Sequence, residues 1–384
     1  MDIVLSVQPI RFPLTGIGRY TLELARHLSE VADIEHLAFF GDDDFVDGLP
    51  VPGGGPSAPS SLLTRIKHRL ARNPVLLEIY RKRVHERRGG ALKDYADYLY
   101  HGPNFYLPPF PGRSVVTIHD LSVFTMPEHH PVERVMYIRK EVEFALKQAT
   151  FLITDAEYTR HEVAEYFGWP IERVRSAALA CGPEFYPRPS DILSPDLARH
   201  GLTPGGYALY TGTIEPRKNI VRLIEAYGRL PRPLRTRFPL VLAGYKGWKN
   251  EEAMERLRTA EGEGWVRYLG FVSENDLPLL FAGARLFTFP SLYEGFGLPI
   301  LEAMASGVPV VTSTSSTLPE VAGDAAAMCD PEDVESLTRL IAQGLDDERW
   351  RDTAIERGLA QAGRFSWKRC AEETAAIYRS ALAQ

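Results

Sequence analysis

Cysteine is scarce in this chain: Cys181, Cys329 and Cys370 are spread over 384 residues. They are too far apart for a metal-ligand cluster and too few for a disulfide framework, which points to a reducing compartment. Positive charge is also short. Forty-four Lys and Arg against 50 Asp and Glu leave a net charge of −6, which argues against a nucleic-acid binder. No apolar run approaches the roughly 20 residues that a membrane-spanning helix needs. The opening stretch Met1–Val7 has neither a basic flank nor a long apolar core, so no secretory leader is expected there. What remains is a soluble, cytoplasmic protein of ordinary globular composition, 45% hydrophobic and 24% charged. Its length suggests two domains rather than one.

Short β-branched runs alternate with helical patterns, the mark of an α/β chain with parallel sheets. Strands are expected at 3–7, 36–40, 98–101, 115–119 and 151–154 in the first half. In the second half they are expected at 207–211, 240–243, 266–271, 284–290 and 308–312. The stretch from Cys181 to Gly206 holds Pro183, Pro187, Pro189, Pro195 and Pro204 and reads as a linker. Two doubly wound domains joined there would place a ligand in the cleft between the carboxyl ends of their strands. Residues 52–61 read as a loose loop, and 367–382 as a terminal helix.

The densest motif is Glu294-Gly295-Phe296-Gly297-Leu298-Pro299, followed by Glu302 and Ala305-Ser306-Gly307-Val308-Pro309-Val310. Pro299 suits a first helical turn, where its missing N–H costs nothing. The glycines admit a ligand close to the backbone, and a helix start offers free N–H groups to an anion. Two carboxylates eight positions apart bracket that turn. The block resembles the paired-glutamate signature of the retaining glycosyltransferases of family four (group 1), nucleotide-sugar enzymes with the GT-B fold. That resemblance implies two Rossmann-like domains facing across a cleft, at 1–185 and 186–365, with helix 366–384 crossing back onto the first.

The resemblance runs over nearly the whole chain and assigns roles to other residues. Glu302 would take the ribose hydroxyls and Glu294 the transferred sugar, with Gly295, Phe296, Gly297 and Leu298 beside phosphate or sugar. In Gly212-Thr213-Ile214-Glu215-Pro216-Arg217-Lys218-Asn219, Lys218 matches the family's phosphate lysine. Its usual arginine partner, five positions earlier, is replaced by Thr213. Arg217 either supplies that charge or points to solvent. Gly244 opens a loop similar to one near the phosphates, and Phe271 with Val272 matches the segment whose backbone holds the base.

In the first domain, Gly16 and Gly18 sit between a strand and a helix, where the family has a glycine-rich loop. Thr15 stands for the first of its two usual glycines. Arg19 either binds an acceptor phosphate or caps its helix. His119 and Asp120 close a buried strand; by resemblance His119 faces the donor sugar and Asp120 borders the acceptor. His101-Gly102-Pro103-Asn104 resembles mannosyl- and rhamnosyltransferases of surface polysaccharide synthesis, and Asn104 and His129 are expected on the acceptor side. Asp42-Asp43-Asp44 reads as a solvated turn, so no metal is expected.

The segment Arg65–Arg88 carries nine Lys or Arg against Glu78 and Glu86 and reads as an anionic-membrane patch on the inner face or, alternatively, as a solvated helical face. The resemblance implies a retaining, metal-independent hexosyltransferase that uses a nucleotide sugar, GDP-mannose or a related GDP-sugar, and a lipid-linked saccharide acceptor. A UDP-sugar transferase, a nucleotide-sugar epimerase or hydrolase, and a non-catalytic glycan-binding relative stay open.

Overall fold

The protein is described by a computed structural model over residues 1–51 and 74–384. It divides into two compact units: Met1–Leu179 together with Trp367–Gln384, and Ala180–Ser366. The expected boundary at 185/186 falls a few residues after the observed one. Phe185 gives the reason, because it is buried and packs edge-to-face on Phe281 with ring centroids 5.5 Å apart. The chain from Ala180 onward therefore already serves the second core. The expected linker is also partly helical, since Ser190–Arg199 forms a helix that buries Leu193 and Leu197.

In the first unit the strands are β1 (Asp2–Ser6), β2 (His36–Phe40), β3 (Phe45–Val46), β4 (Leu99–Gly102), β5 (Arg113–Thr117), β6 (Phe151–Thr154) and β7 (Val174–Ser176). They lie in the order β3-β2-β1-β4-β5-β6-β7. All pairs are parallel except β2–β3. The central strands bury Ile3, Val4, Leu5, Val115, Val116, Leu152 and Ile153, the near-continuous apolar runs that a sheet covered on both faces demands. The strand order reverses between β1 and β4, which is where the loops leaving a doubly wound sheet diverge and leave room for a ligand. The terminal helix Trp367–Leu382 belongs to this unit and buries Cys370, Ala371, Ala375 and Tyr378 in it.

The second unit repeats the plan with β8 (Ala208–Thr211), β9 (Leu240–Ala243), β10 (Val266–Gly270), β11 (Leu286–Phe289), β12 (Val310–Ser313) and β13 (Ala326–Cys329). The order is β10-β9-β8-β11-β12-β13, all parallel, reversing between β8 and β11.

Residues 52–61 and the basic residues Arg65, Lys67, Arg69 and Arg72 lie outside the described residues. The remaining cations of that segment sit on the helix Pro74–Leu92, and they do not form one solvated row. Arg81 is buried, donating from Nε to Glu141 and from Nη1 to Glu78 at 2.9 Å. Arg87 pairs with Asp43, and Arg88 donates to the Asp42 carbonyl at 2.7 Å. Lys82 and Arg83 are exposed, Lys82 forming a loose surface pair with Glu86 at 3.9 Å. The same contacts correct the reading of Asp42–Asp44 as a merely solvated turn: with Arg11 on Asp42 at 2.8 Å, it is a salt-bridged one.

Candidate functional site

The carboxyl ends of β8 and β11 release the two segments that carry the second-unit motifs. After β8 the backbone turns at Gly212, with φ of +143°, and enters the 3-10 turn Pro216–Lys218. After β11 it runs through Ser291 to Glu294. Asn219 ties the segments together. It takes a left-handed conformation, and its amide donates to the carbonyls of Pro290 at 3.0 Å and Pro331 at 2.7 Å. The Leu292 N–H adds a bond to the Arg217 carbonyl at 2.8 Å.

This clamp brings Lys218 onto Glu294, Nζ to Oε1 at 2.6 Å. Arg217 Nη1 takes the other carboxylate oxygen at 3.0 Å and the Tyr293 carbonyl at 2.7 Å, while its Nη2 donates to Glu215 at 2.9 Å. All four charged side chains are mostly buried. Burial pushes the Glu294 carboxyl up, but Lys218 and Arg217 more than offset this and hold it below the usual carboxylate range. Burial also pulls the Lys218 ammonium below its ordinary value, against the attraction of Glu294.

Beyond Glu294 the chain is held by Ser316, whose hydroxyl accepts the Glu294 N–H at 2.8 Å, and by Thr317, which donates to the carbonyls of Glu294 and Phe296. Gly297 has φ of +103°, and a Cβ there would lie 2.8 Å from the Leu318 side chain, so the position needs glycine. It opens the helix Leu298–Ala305, with Pro299 in its first turn and Glu302 buried about one turn in. Gly295 and Leu298 flank that start, both half-buried.

In the first unit, the loop after β1 leads into the helix Gly16–Leu28. Thr15 caps it, accepting the Gly18 N–H at 3.2 Å. The two glycines differ. A Cβ at Gly18 would meet the Pro9 carbonyl at 2.9 Å, whereas one at Gly16 would meet nothing within 4 Å. Arg19 is half-buried in the first turn. At the end of β5, His119 is buried with both ring nitrogens engaged, Nδ1 on Asp155 at 2.7 Å and Nε2 on the Pro103 carbonyl at 2.8 Å. Burial opposes the imidazolium, but Asp155 beside it raises the His119 pKa above its ordinary value. Asp120 accepts from the Ser122 N–H and hydroxyl at 2.9 and 2.6 Å. Asn104 follows Pro103 and is half-buried, and His129 ends the 3-10 turn Pro127–His129 with Glu128 at 3.8 Å.

Residues 200–361 match the family model of glycosyl transferases group 1. Over 379 residues the chain is 46% identical to O-antigen chain mannosyltransferase B of Escherichia coli, covering 99% of this chain and 100% of that protein. The chain belongs to the group 1 glycosyltransferases. Serotype-specific mannosyltransferase WbdA of Escherichia coli is 38% identical over 267 residues, 67% of this chain and 32% of that protein. Among solved structures, HepE of Anabaena in complex with UDP and glucose superposes with a TM-score of 0.72 at 18% identity, over 99% of this chain and 100% of that one. The fold is that of the GT-B glycosyltransferases.

Several expected site residues of this glycosyltransferase have local duties. Phe296 is a core residue, buried edge-to-face on Phe365 at 5.9 Å. Gly244 is required by packing, because a Cβ there would lie 1.9 Å from the Gly212 carbonyl oxygen. Thr213 packs its methyl against Gly247. Phe271 is half-exposed and stacks on Tyr245 with centroids 4.7 Å apart, and Val272 beside it is half-buried. Arg217 is mostly buried and turned onto carboxylates of its own unit, which corrects the reading of it as a solvated side chain. Glu215 and Asp155 had not been singled out. An acid closing a buried strand was the available signal for Asp155.

Proposed function

We propose that this glycosyltransferase moves mannose, or a closely related hexose, from a GDP-linked donor to a lipid-linked glycan in surface polysaccharide synthesis, with retention at the anomeric carbon. The observation that carries the reading is the 46% identity over almost the full chain to an O-antigen mannosyltransferase. The Lys218–Glu294 pairing supports it chemically. When the diphosphate arrives, the ammonium passes from carboxylate to phosphate, and Glu294 turns to the sugar hydroxyls. Glu302 accepts from both ribose hydroxyls. The bond from the anomeric carbon to phosphate breaks, a bond to the acceptor hydroxyl forms on the same face, and the departing phosphate oxygen takes the acceptor proton. Fixed positive charge at the leaving group makes a metal unnecessary.

The test is a thermal-shift screen of UDP, GDP, ADP and dTDP with their sugars, since a ligand at 100 times its dissociation constant stabilises by about 2.7 kcal/mol. Transfer from GDP-mannose to a mannoside acceptor is then followed with and without EDTA, and the product anomer is read by NMR. GDP and its mannose conjugate should stabilise most, activity should persist in chelator, and the product should keep the donor's configuration. Stabilisation by UDP alone would reject the donor base. An inverted product would reject retention, and nucleotide release equally fast without acceptor would favour a hydrolase or epimerase.

A further inference from the structure

We propose that Glu215 is a positioning residue of the donor site: it holds the Arg217 guanidinium so that Arg217 fixes the second oxygen of Glu294. The inference rests on the donor-site reading above. Glu215 closes the loop after β8 at the entry to the turn Pro216–Lys218, and it is 5% exposed. A carboxylate buried to that degree is expensive to keep ionised unless it is paired. Its Oε1 accepts from Arg217 Nη2 at 2.9 Å, while Oε2 is buried with no hydrogen-bond partner among the described residues.

The guanidinium is planar and donates in fixed directions. Glu215 on one edge, with the Tyr293 carbonyl and Glu294 Oε2 on the next nitrogen, leaves it one orientation. Glu294 is thus held at both oxygens, by Lys218 and by Arg217. The two holds differ once donor binds. Lys218 leaves for the diphosphate, and Arg217 is the cation that keeps the carboxylate in register with the sugar. Without Glu215, the guanidinium would be drawn to the same diphosphate, and Glu294 would lose both anchors. The predicted defect therefore lies in turnover and not in nucleotide affinity.

The experiment uses the full chain with Glu215→Gln, which keeps the size and one acceptor oxygen but removes the charge. At saturating donor, kcat should fall about 10- to 100-fold, the scale known for losing the outer partner of a metal-ligating residue and taken here for a carboxylate held in the same indirect way. The Kd for GDP, measured by calorimetry, should stay within about twofold. In an Arg217→Met background, Glu215→Gln should cause no further loss of kcat, because it acts through Arg217. Should Glu215→Gln not fold, Glu215→Asp draws the charge back by one methylene and is read the same way. A lowered Tm with wild-type kcat makes Glu215 a structural counterion and overturns the proposal. So does an additive loss in the Arg217→Met background, or a GDP affinity that falls along with kcat. The wild type separates the two levels of inference: an active wild type with an unaffected variant sinks this proposal alone, whereas a wild type that neither binds GDP nor transfers sugar sinks the donor-site reading and this proposal with it.

Discussion

Lys218 rests on Glu294 at 2.6 Å, and that pairing sets what its removal should do. If Lys218 holds the leaving diphosphate as proposed, Lys218→Ala deletes a preorganised charge at a developing anion, and kcat should fall roughly 100- to 1,000-fold. Lys218→Arg should recover little, because a planar fork does not replace a point ammonium. Near-normal turnover in Lys218→Ala would remove Lys218 from the phosphate site. The same pair has a pH signature. Glu294 is held below its unfolded pKa, so its stabilisation is present above the ordinary carboxylate value and is lost as pH falls through the lower folded one. Lys218→Ala should shrink that acid-side loss of Tm. The glycines allow a second check: Gly18→Ala should lower Tm, since its Cβ meets the Pro9 carbonyl, while Gly16→Ala should leave Tm unchanged. A fall in activity for Gly16→Ala at constant Tm would report contact with a ligand. Lys218 and Glu294 were legible because each sits in a local motif. The Glu215–Arg217–Glu294 chain was not, because it joins groups 77 positions apart and depends on how two loops meet.

The terminal helix shows how an element is tied to its unit. Tyr378 meets His101 Nδ1 at 2.7 Å, His101 Nε2 meets Thr117 at 2.8 Å, and Thr117 meets Tyr20 at 2.9 Å. One buried network therefore links that helix, β4, β5 and the helix Gly16–Leu28. His101 is neutral within it, its pKa pushed down to about 3 by burial. Between that value and 6.5 the unfolded chain binds the extra proton, so stability is present above pH 6.5 and is lost as pH falls. The slope is about 1.4 kcal/mol per pH unit, or roughly 2 kcal/mol between pH 6.5 and 5. His119, with its raised value, acts in the other window, its contribution fading only as pH rises above 6.5. His101→Gln should therefore flatten the acid limb of Tm between pH 7.5 and 5, and parallel curves would show that His101 does not titrate as a buried neutral ring. The strands β2, β6 and β9 were expected with the bounds they have, because each is a compact apolar run between turn signals. The short edges β3, β7 and β13 were missed: Phe45–Val46 and Val174–Ser176 are too short to show a period, and Ala326–Cys329 lacks β-branched residues.

Charge acts over the whole molecule, and here its net sign is acidic while one helix is locally basic. No helix among the described residues is long and apolar enough to cross a membrane. The Arg81–Glu141 pair is buried, and reversing Arg81 would cost about 3–5 kcal/mol of fold stability for reasons unrelated to lipid. The informative variant is Lys82→Glu with Arg83→Glu, which leaves that pair and the paired Arg87 and Arg88 intact. If the helix Pro74–Leu92 seats the enzyme on an anionic leaflet, each of these cations contributes about 1 kcal/mol. Losing both should weaken binding to phosphatidylserine vesicles about 30-fold, with repulsion from the new carboxylates adding to that. Parent binding should itself be salt-sensitive, because the screening length shrinks from about 10 Å at 0.1 M to about 3 Å at 1 M. Turnover on a lipid-linked acceptor should drop in the variant, while turnover on a short soluble mannoside stays at the parent value, since the residues around Lys218 and Glu294 are untouched. Sedimentation of the variant with anionic vesicles at the parent level would make Lys82 and Arg83 ordinary solvated side chains.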